Sequence, residues 1–200
     1  MLFIICRLAF WSLVFVVFFF QLRKSHIKNK RRWSRVALII MAILTTISTF
    51  IPVENAFVTF SSPQSAYNYN NIGDVRLLVH GETTDFIVGS NGDTEVHAIV
   101  PKSDNGWKLG TKLDIKRIVQ TINDGIIIHV YQYKNSEDYY ITVLDTNGGP
   151  SEIIDNHSSN FQCLDKHNGE LNKTFYTYYA YINDYDAQYT LTVNGKAMNI

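Results

Sequence analysis

Acidic residues are missing from the first quarter of the 200-residue chain. Residues 1–53 hold eight Lys or Arg and no Asp or Glu, whereas residues 54–200 hold the other ten basic residues and all eighteen acidic ones. The two segments therefore carry net charges of +8 and −8, although the whole chain is neutral. Such segregation indicates that the segments face different environments. An acidic main domain excludes nucleic acid as a partner, because binding phosphates needs a basic surface.

Cysteine is almost absent as well. Cys6 lies in the apolar N-terminal run and Cys163 far along the chain, so we expect no disulfide framework and a single buried thiol at Cys163. The sequence also lacks a glycine fingerprint for a dinucleotide and any metal-ligand spacing, so we expect no cofactor. The segment after residue 53 is long enough to be held together by its own hydrophobic core.

Two long apolar runs flank a short basic stretch. Residues 2–22 are nearly all Phe, Val, Leu and Ile, apart from Arg7, and residues 36–53 contain no charge. A helix needs roughly 20 apolar residues to cross a bilayer. The sequence therefore predicts a transmembrane hairpin over residues 1–53, with spans at about 2–22 and 36–53. We expect Arg7 to reach the lipid headgroups from one end of the first span.

The connection between the two runs, residues 23–35, contains seven basic residues: Arg23, Lys24, Lys28, Lys30, Arg31, Arg32 and Arg35. Loops rich in Lys and Arg stay on the cytoplasmic side, so the stretch predicts an extracytoplasmic C-terminal domain at the plasma membrane. It also predicts contact with anionic lipid headgroups. An alternative stays open, in which the second run belongs to a signal peptide cut after Ala56, although Glu54 stands where a small residue is expected.

Turn signals recur through the rest of the chain. Residues 54–62 form a linker, and Ser62-Pro63 is typical of the start of a short helix. Beyond it, Asn-Gly and Asp-Gly pairs separate short runs rich in Val, Ile, Tyr, Phe and Thr, with the clearest hairpins at 86–99 and 118–131. The pattern predicts a mainly β domain over residues 63–200, built as a sandwich or an open barrel.

Cys163 is a candidate nucleophile with a candidate base close to it in the sequence. Asp165 and His167 follow it at alternate positions, but Asn168-Gly169 indicates that the strand ends too early for the three to share one face. Asp184 and Asp186 offer oxygen ligands without the glycine of a calcium loop, so we interpret them as a turn. We predict no catalytic residue.

Three histidines fall one to a strand. His80, His97 and His129 could converge as a metal site, but no sequence spacing supports this, so we predict no metal ligands.

Aromatic residues crowd one predicted strand. Tyr176, Tyr178, Tyr179 and Tyr181 project from both of its faces, because strand side chains alternate. One face must be core, and the other presents phenols that suit a glycan, a peptide or a partner protein. The alternative is that cross-strand aromatic pairs stabilise the sheet.

Three short segments resemble a known group of proteins. They are Ser-Ser-Pro-Gln-Ser-Ala-Tyr at 61–67, Gly-Trp-Lys-Leu-Gly at 106–110 and Tyr-Tyr-Ile at 139–141. They are similar to segments of uncharacterised, membrane-anchored extracytoplasmic β-domain proteins of Gram-positive bacteria. The resemblance implies a cell-envelope protein and carries over no activity and no functional residue.

These patterns favour a non-catalytic binding or interaction module held at the membrane, with the lipid bilayer and an envelope protein or glycan as partners. Two alternatives stay open. One is an enzyme of the envelope, and the other is a small membrane-complex subunit or immunity-type protein that acts through its helices.

Overall fold

The computed structural model describes residues 2–24, 29–71, 73–92, 94–168 and 173–200. Within these ranges the chain forms three α-helices, α1 (Leu2–Lys24), α2 (Lys30–Phe50) and α3 (Pro63–Asn70). It also forms twelve strands: β1 (Asp74–His80), β2 (Thr84–Asn91), β3 (Thr94–Ser103), β4 (Gly106–Trp107), β5 (Ile115–Asn123), β6 (Ile126–Tyr133), β7 (Asp138–Asp145), β8 (Ile153–Asp155), β9 (Gln162–Asn168), β10 (Lys173–Asn183), β11 (Leu191–Val193) and β12 (Lys196–Met198). The prediction of a mainly β protein with a short helix is confirmed.

Helices α1 and α2 pack against each other as an antiparallel pair. Trp11, near the start of α1, donates from Nε1 to Ser48 Oγ, near the end of α2, over 3.1 Å. Within α2, the hydroxyls of Thr45 and Thr46 donate to the carbonyls of Met41 and Ala42, four residues back, which satisfies them inside an apolar helix. Over the part of the chain that the structure describes, no helix has the length and apolar content needed to cross a membrane.

Helix α3 begins as the sequence predicts. Ser62 is the N-cap, its Oγ accepts from the backbone N–H of Ser65 over 3.1 Å, and Pro63 occupies the first turn. The helix buries Tyr67 against the first sheet. Gly89 makes this approach possible, because a Cβ there would lie 2.0 Å from the Tyr67 hydroxyl oxygen.

The strands form three antiparallel sheets. Their orders are β1-β2-β3-β4, β5-β6-β7-β10-β9 and β12-β11-β8. Both predicted hairpins are present, since Phe86 pairs with Ile99 across β2 and β3, and Ile122 pairs with Ile127 across β5 and β6. A bulge between Arg117 and Val119 interrupts the β5–β6 ladder.

Both faces of the five-stranded sheet are buried. The first core lies between the four-stranded and five-stranded sheets and contains Val79, Phe86, Val88, Ile99, Tyr133, Tyr140 and Tyr179. The second core lies between the five-stranded and three-stranded sheets and contains Ile126, Ile128, Val130, Ile141, Val143, Tyr178, Ala180, Ile182, Tyr189, Leu191, Val193 and Met198. A smaller cluster joins α3 to the outer face of the four-stranded sheet. The three sheets thus form stacked layers, with the five-stranded sheet in the middle.

Candidate functional site

The helical pair exposes a broad apolar surface. Leu13 and Ile39 are 65% and 61% exposed, on α1 and α2 respectively. Other exposed apolar side chains on the two helices include Leu8, Phe10, Val14, Val16, Val17, Phe18, Phe19, Phe20, Val36, Leu38, Ile40, Ile43, Leu44, Ile47 and Phe50. The β-rich domain exposes far fewer large apolar side chains in its described residues, namely Leu113, Ile118, Ile122 and Ile154. The apolar surface therefore belongs to the hairpin.

A basic cleft opens between the C-terminal end of α1 and the N-terminal end of α2. It has a volume of about 510 Å³ and is lined by Phe19, Leu22, Arg23, Lys30, Arg31, Ser34 and Arg35. Lys30 Nζ donates to the Arg23 carbonyl over 2.9 Å, which ties the two helix ends together. Of the seven predicted basic residues the structure thus brings four into one site. Lys24 and Arg32 do not line the cleft, and Lys28 lies outside the described residues.

The opposite end of the hairpin is closed by an arginine clamp, formed by Arg7, Ser48, Glu54 and Tyr69. Arg7 is only 6% exposed, and its Nε and Nη2 each donate to one oxygen of Glu54 over 2.7 Å. Its Nη1 also donates to the carbonyl of Ser48 at the end of α2. Tyr69 of α3 donates to Glu54 over 3.4 Å, so the clamp joins both helices to the β-rich domain.

Charge pairing decides the ionisation of Glu54. Burial alone would raise the pKa of this carboxyl, but the hydrogen bond and charge of Arg7, together with hydrogen bonds from the backbone and from Tyr69, hold the pKa below its usual value. Arg7 is therefore paired inside the protein, and the expectation that its side chain reaches lipid headgroups is corrected. Glu54 offers a nearer counter-charge.

The four predicted surface tyrosines do not share one face. Tyr178 and Tyr176 contact the second core, whereas Tyr179 and Tyr181 contact the first. Tyr178 and Tyr179 are buried, and Tyr176 and Tyr181 are half-buried. The structure therefore does not bring the four phenols together, and a surface formed by Tyr176 or Tyr181 stays a prediction.

Two of the three histidines lie near each other. The rings of His97 and His129 pack on Tyr131 with centroid distances of 6.0 and 5.8 Å. His80 instead faces Asp85, with 2.9 Å between Nδ1 and Oδ1. Burial, together with the charges of Arg117 and His97, lowers the pKa of His129. Within the described ranges no group of three or more His, Cys, Asp or Glu side chains is arranged to hold a metal ion.

Cys163 is exposed rather than buried, which corrects the sequence-based prediction. It lies on β9, an edge strand of the five-stranded sheet, and this strand continues to Asn168 instead of ending early. Partial desolvation raises the pKa of the thiol, as does the charge of Asp165, and a hydrogen bond with Tyr178 only partly offsets these effects. The thiol is thus not activated, and the His167 side chain and that of Cys6 lie outside the described part of the chain.

The residues around Asp184 form a turn, as expected. Asp184 has a positive φ of 54°, and Asp186 Oδ1 accepts from the backbone N–H of Gln188 over 2.8 Å. Both residues therefore belong to the chain reversal between β10 and β11.

Alkylation tests the exposure of Cys163. In a Cys6→Ser background, we expect a maleimide to modify the folded chain to completion without denaturant, because the side chain is exposed. The rate should rise with pH and stay below that of the urea-unfolded chain at neutral pH, because the raised pKa leaves less thiolate. The Cys6→Ser/Cys163→Ser variant is the blank. Modification that begins only in urea would show that the thiol is buried.

Sequence reasoning missed the most heavily hydrogen-bonded carboxylate described. Asp138 starts β7 and is 1% exposed. Its oxygens accept from the backbone N–H groups of Glu82, Thr83 and Thr84 over 3.0, 2.8 and 2.6 Å. The Thr83 and Thr84 hydroxyls donate at 2.8 Å each, and the Tyr181 hydroxyl at 3.0 Å. Six donors occupy the carboxylate, so its role is to fix the β1–β2 turn against the five-stranded sheet.

No protein-family model matches this chain, and neither the curated proteins nor the solved structures include a significant match to it.

Proposed function

We propose that this chain is a membrane-anchored protein whose α1–α2 hairpin inserts into a lipid bilayer and holds the β-rich domain at the membrane as a non-catalytic binding module. The exposed apolar surface of the hairpin carries the proposal. Soluble monomers rarely leave apolar patches of more than a few hundred Å² in contact with water, and larger ones mark surfaces that associate with lipid or protein. The proposal rests on this surface, with the apolar runs 2–22 and 36–53 as the inserted segments.

The distribution of polar groups along the hairpin supports insertion. Its charged side chains gather at the two ends, in the basic cleft and in the arginine clamp. Between them, the hydroxyls of Thr45 and Thr46 donate to carbonyls of their own helix, at Met41 and Ala42. An apolar solvent requires such internal satisfaction of polar groups, since an unpaired one costs several kcal/mol in lipid.

Orientation follows from the position of the cations. A basic connection stays on the cytoplasmic side, so residues 54–200 are placed outside the cytoplasm at the plasma membrane. Phe57, 85% exposed beside the arginine clamp, suits the boundary between lipid and water. The signal-peptide alternative would cut the chain after Ala56, beyond Glu54, and so would remove both partners of the buried Arg7–Glu54 pair from the mature domain.

A binding role fits the described polar side chains better than catalysis does. Asp138 is saturated by donors, and the Cys163 thiol has a raised pKa. A half-buried aromatic side chain such as Tyr176 supplies rigid contact area with a polar tip, which suits a protein or glycan of the envelope.

A charge placed on the apolar surface tests insertion. Ile43, 52% exposed near the middle of the second apolar run, is changed to Lys, and the matched control is Ile154→Lys on β8, where Ile154 is 57% exposed. A lysine at the centre of a membrane helix costs roughly 2.5–3.5 kcal/mol. We expect Ile43→Lys to lower the fraction of chain retained in carbonate-washed membranes, whereas Ile154→Lys retains the wild-type fraction.

Equal retention of the two variants would contradict insertion through this surface. Protease added to intact protoplasts separately tests orientation. We expect it to degrade residues 54–200, and full protection of that segment would place the domain on the other side.

A further inference from the structure

The basic cleft gathers positive charge, and none of the described residues that line it is acidic. Arg23, Lys30, Arg31 and Arg35 line it together with uncharged residues, and no Asp or Glu occurs anywhere in residues 1–53. Cations held on adjacent turns of two packed helices repel one another, and an anion placed among them removes that repulsion. The cleft is therefore preorganised for a negatively charged ligand.

The chemistry of the lining narrows the class of anion. Arginine guanidinium groups match the oxygens of a phosphate in pairs, and the first turn of α2, where Lys30 and Arg31 lie, adds unpaired backbone N–H groups and a favourable dipole. Phe19 and Leu22 supply an apolar wall, and the volume of about 510 Å³ is in the range of ligand-binding clefts.

We propose that the cleft binds a phosphate ester, with the phosphate between Arg23, Arg31 and Arg35 and an attached apolar group along Phe19 and Leu22. Anionic phospholipid is the source that this combination favours. It carries a phosphate next to apolar acyl chains, just as the cleft places cations next to an apolar wall. The inference deepens the membrane anchoring proposed above and depends on it. It goes beyond general attraction to an anionic surface, because it assigns the contact to particular cations.

Two double variants separate a defined site from diffuse charge. Arg31→Gln/Arg35→Gln removes two cations that line the cleft, and Lys24→Gln/Arg32→Gln removes two from the same stretch that do not. The full chain in neutral detergent is mixed with equal amounts of phosphatidylglycerol and phosphatidylcholine, and bound lipid is counted by native mass spectrometry. We expect selective retention of phosphatidylglycerol. Arg31→Gln/Arg35→Gln should weaken the affinity for phosphatidylglycerol about 30-fold, and Lys24→Gln/Arg32→Gln should weaken it much less.

Competition with glycerol 1-phosphate identifies the source of the ester. If it displaces the lipid only at great excess, the lipid headgroup is the ligand, and if it competes at equal concentration, a free phosphate ester is sufficient. Equal loss in the two double variants, or equal retention of the two lipids, would overturn the site. Either result is compatible with insertion of the hairpin into the membrane, whereas release of the wild-type chain from membranes by carbonate would refute insertion itself.

Discussion

Replacing Asp138 by Asn is expected to lower the free energy of unfolding by about 3–5 kcal/mol, the cost typical of removing one partner from a buried charged network. In the wild type, the backbone N–H groups of Glu82, Thr83 and Thr84 donate to the carboxylate oxygens of Asp138. In the variant, the amide nitrogen of Asn is itself a donor, so it would face donors instead of accepting from them. Urea unfolding of the full chain in neutral detergent measures the change. Asp165→Asn is the matched control, because Asp165 is an exposed Asp in the same sheet, and it should change stability by less than about 0.5 kcal/mol.

The effect of Asp138 depends on pH in a direction that the structure specifies. Burial would raise the pKa of this carboxyl, but the donors of Thr83, Thr84 and Glu82 outweigh burial and lower it. A carboxyl with a lower pKa in the folded state adds stability that is fully present above its unfolded pKa of about 3.9 and is lost as the pH falls through the folded value. The difference in free energy of unfolding between wild type and Asp138→Asn should therefore become smaller below about pH 4. A gap that stayed constant on acidification would mean that Asp138 is not ionised in the folded protein.

Breaking the Arg7–Glu54 pair is expected to destabilise the hairpin by about 3–5 kcal/mol, because either single change leaves a buried charge without its partner. The side chains of Arg7 and Glu54 are 7% and 12% exposed. Arg7→Met and Glu54→Leu are the single variants, and loss of helical circular dichroism during dodecyl sulfate titration is the measurement. The double variant removes both charges, so it should recover most of the loss.

Lys24→Met is the control for the loss of a cation from α1. Lys24 is exposed at the other end of the helix and should tolerate the change within about 0.5 kcal/mol. Additive effects of Arg7→Met and Glu54→Leu in the double variant would show that the two charges do not interact, and would remove the clamp from the description of the fold.

Local features of the fold were predictable from the sequence because they depend on neighbouring residues. Ser62 and Pro63 start α3 as expected, and the Asp124-Gly125 pair, with φ of 45° and 79°, turns the chain between β5 and β6. These outcomes reflect backbone preferences that a short stretch of sequence carries by itself.

Contacts between distant segments could not be predicted in this way. The backbone donors to Asp138 lie 54 to 56 residues earlier in the chain, and Glu54 lies 47 residues from Arg7. Cys163 was expected to be buried because its strand was recognisable but the position of that strand at the edge of a sheet was not. Likewise, the alternation around Tyr178 and Tyr179 indicates two faces, but it does not reveal that a further sheet covers each of them.

The position of β10 has a consequence for the order in which the chain can fold as it is synthesised. Tyr178 and Tyr179 are neighbours on this strand and enter different cores, and Tyr179 donates to Glu95 from 84 residues later in the chain. Neither core can close before β10 has left the ribosome, whereas the hairpin is complete before the first strand begins. The β-rich domain must therefore stay incomplete until most of the chain has been synthesised, whereas the α1–α2 pair can pack much earlier.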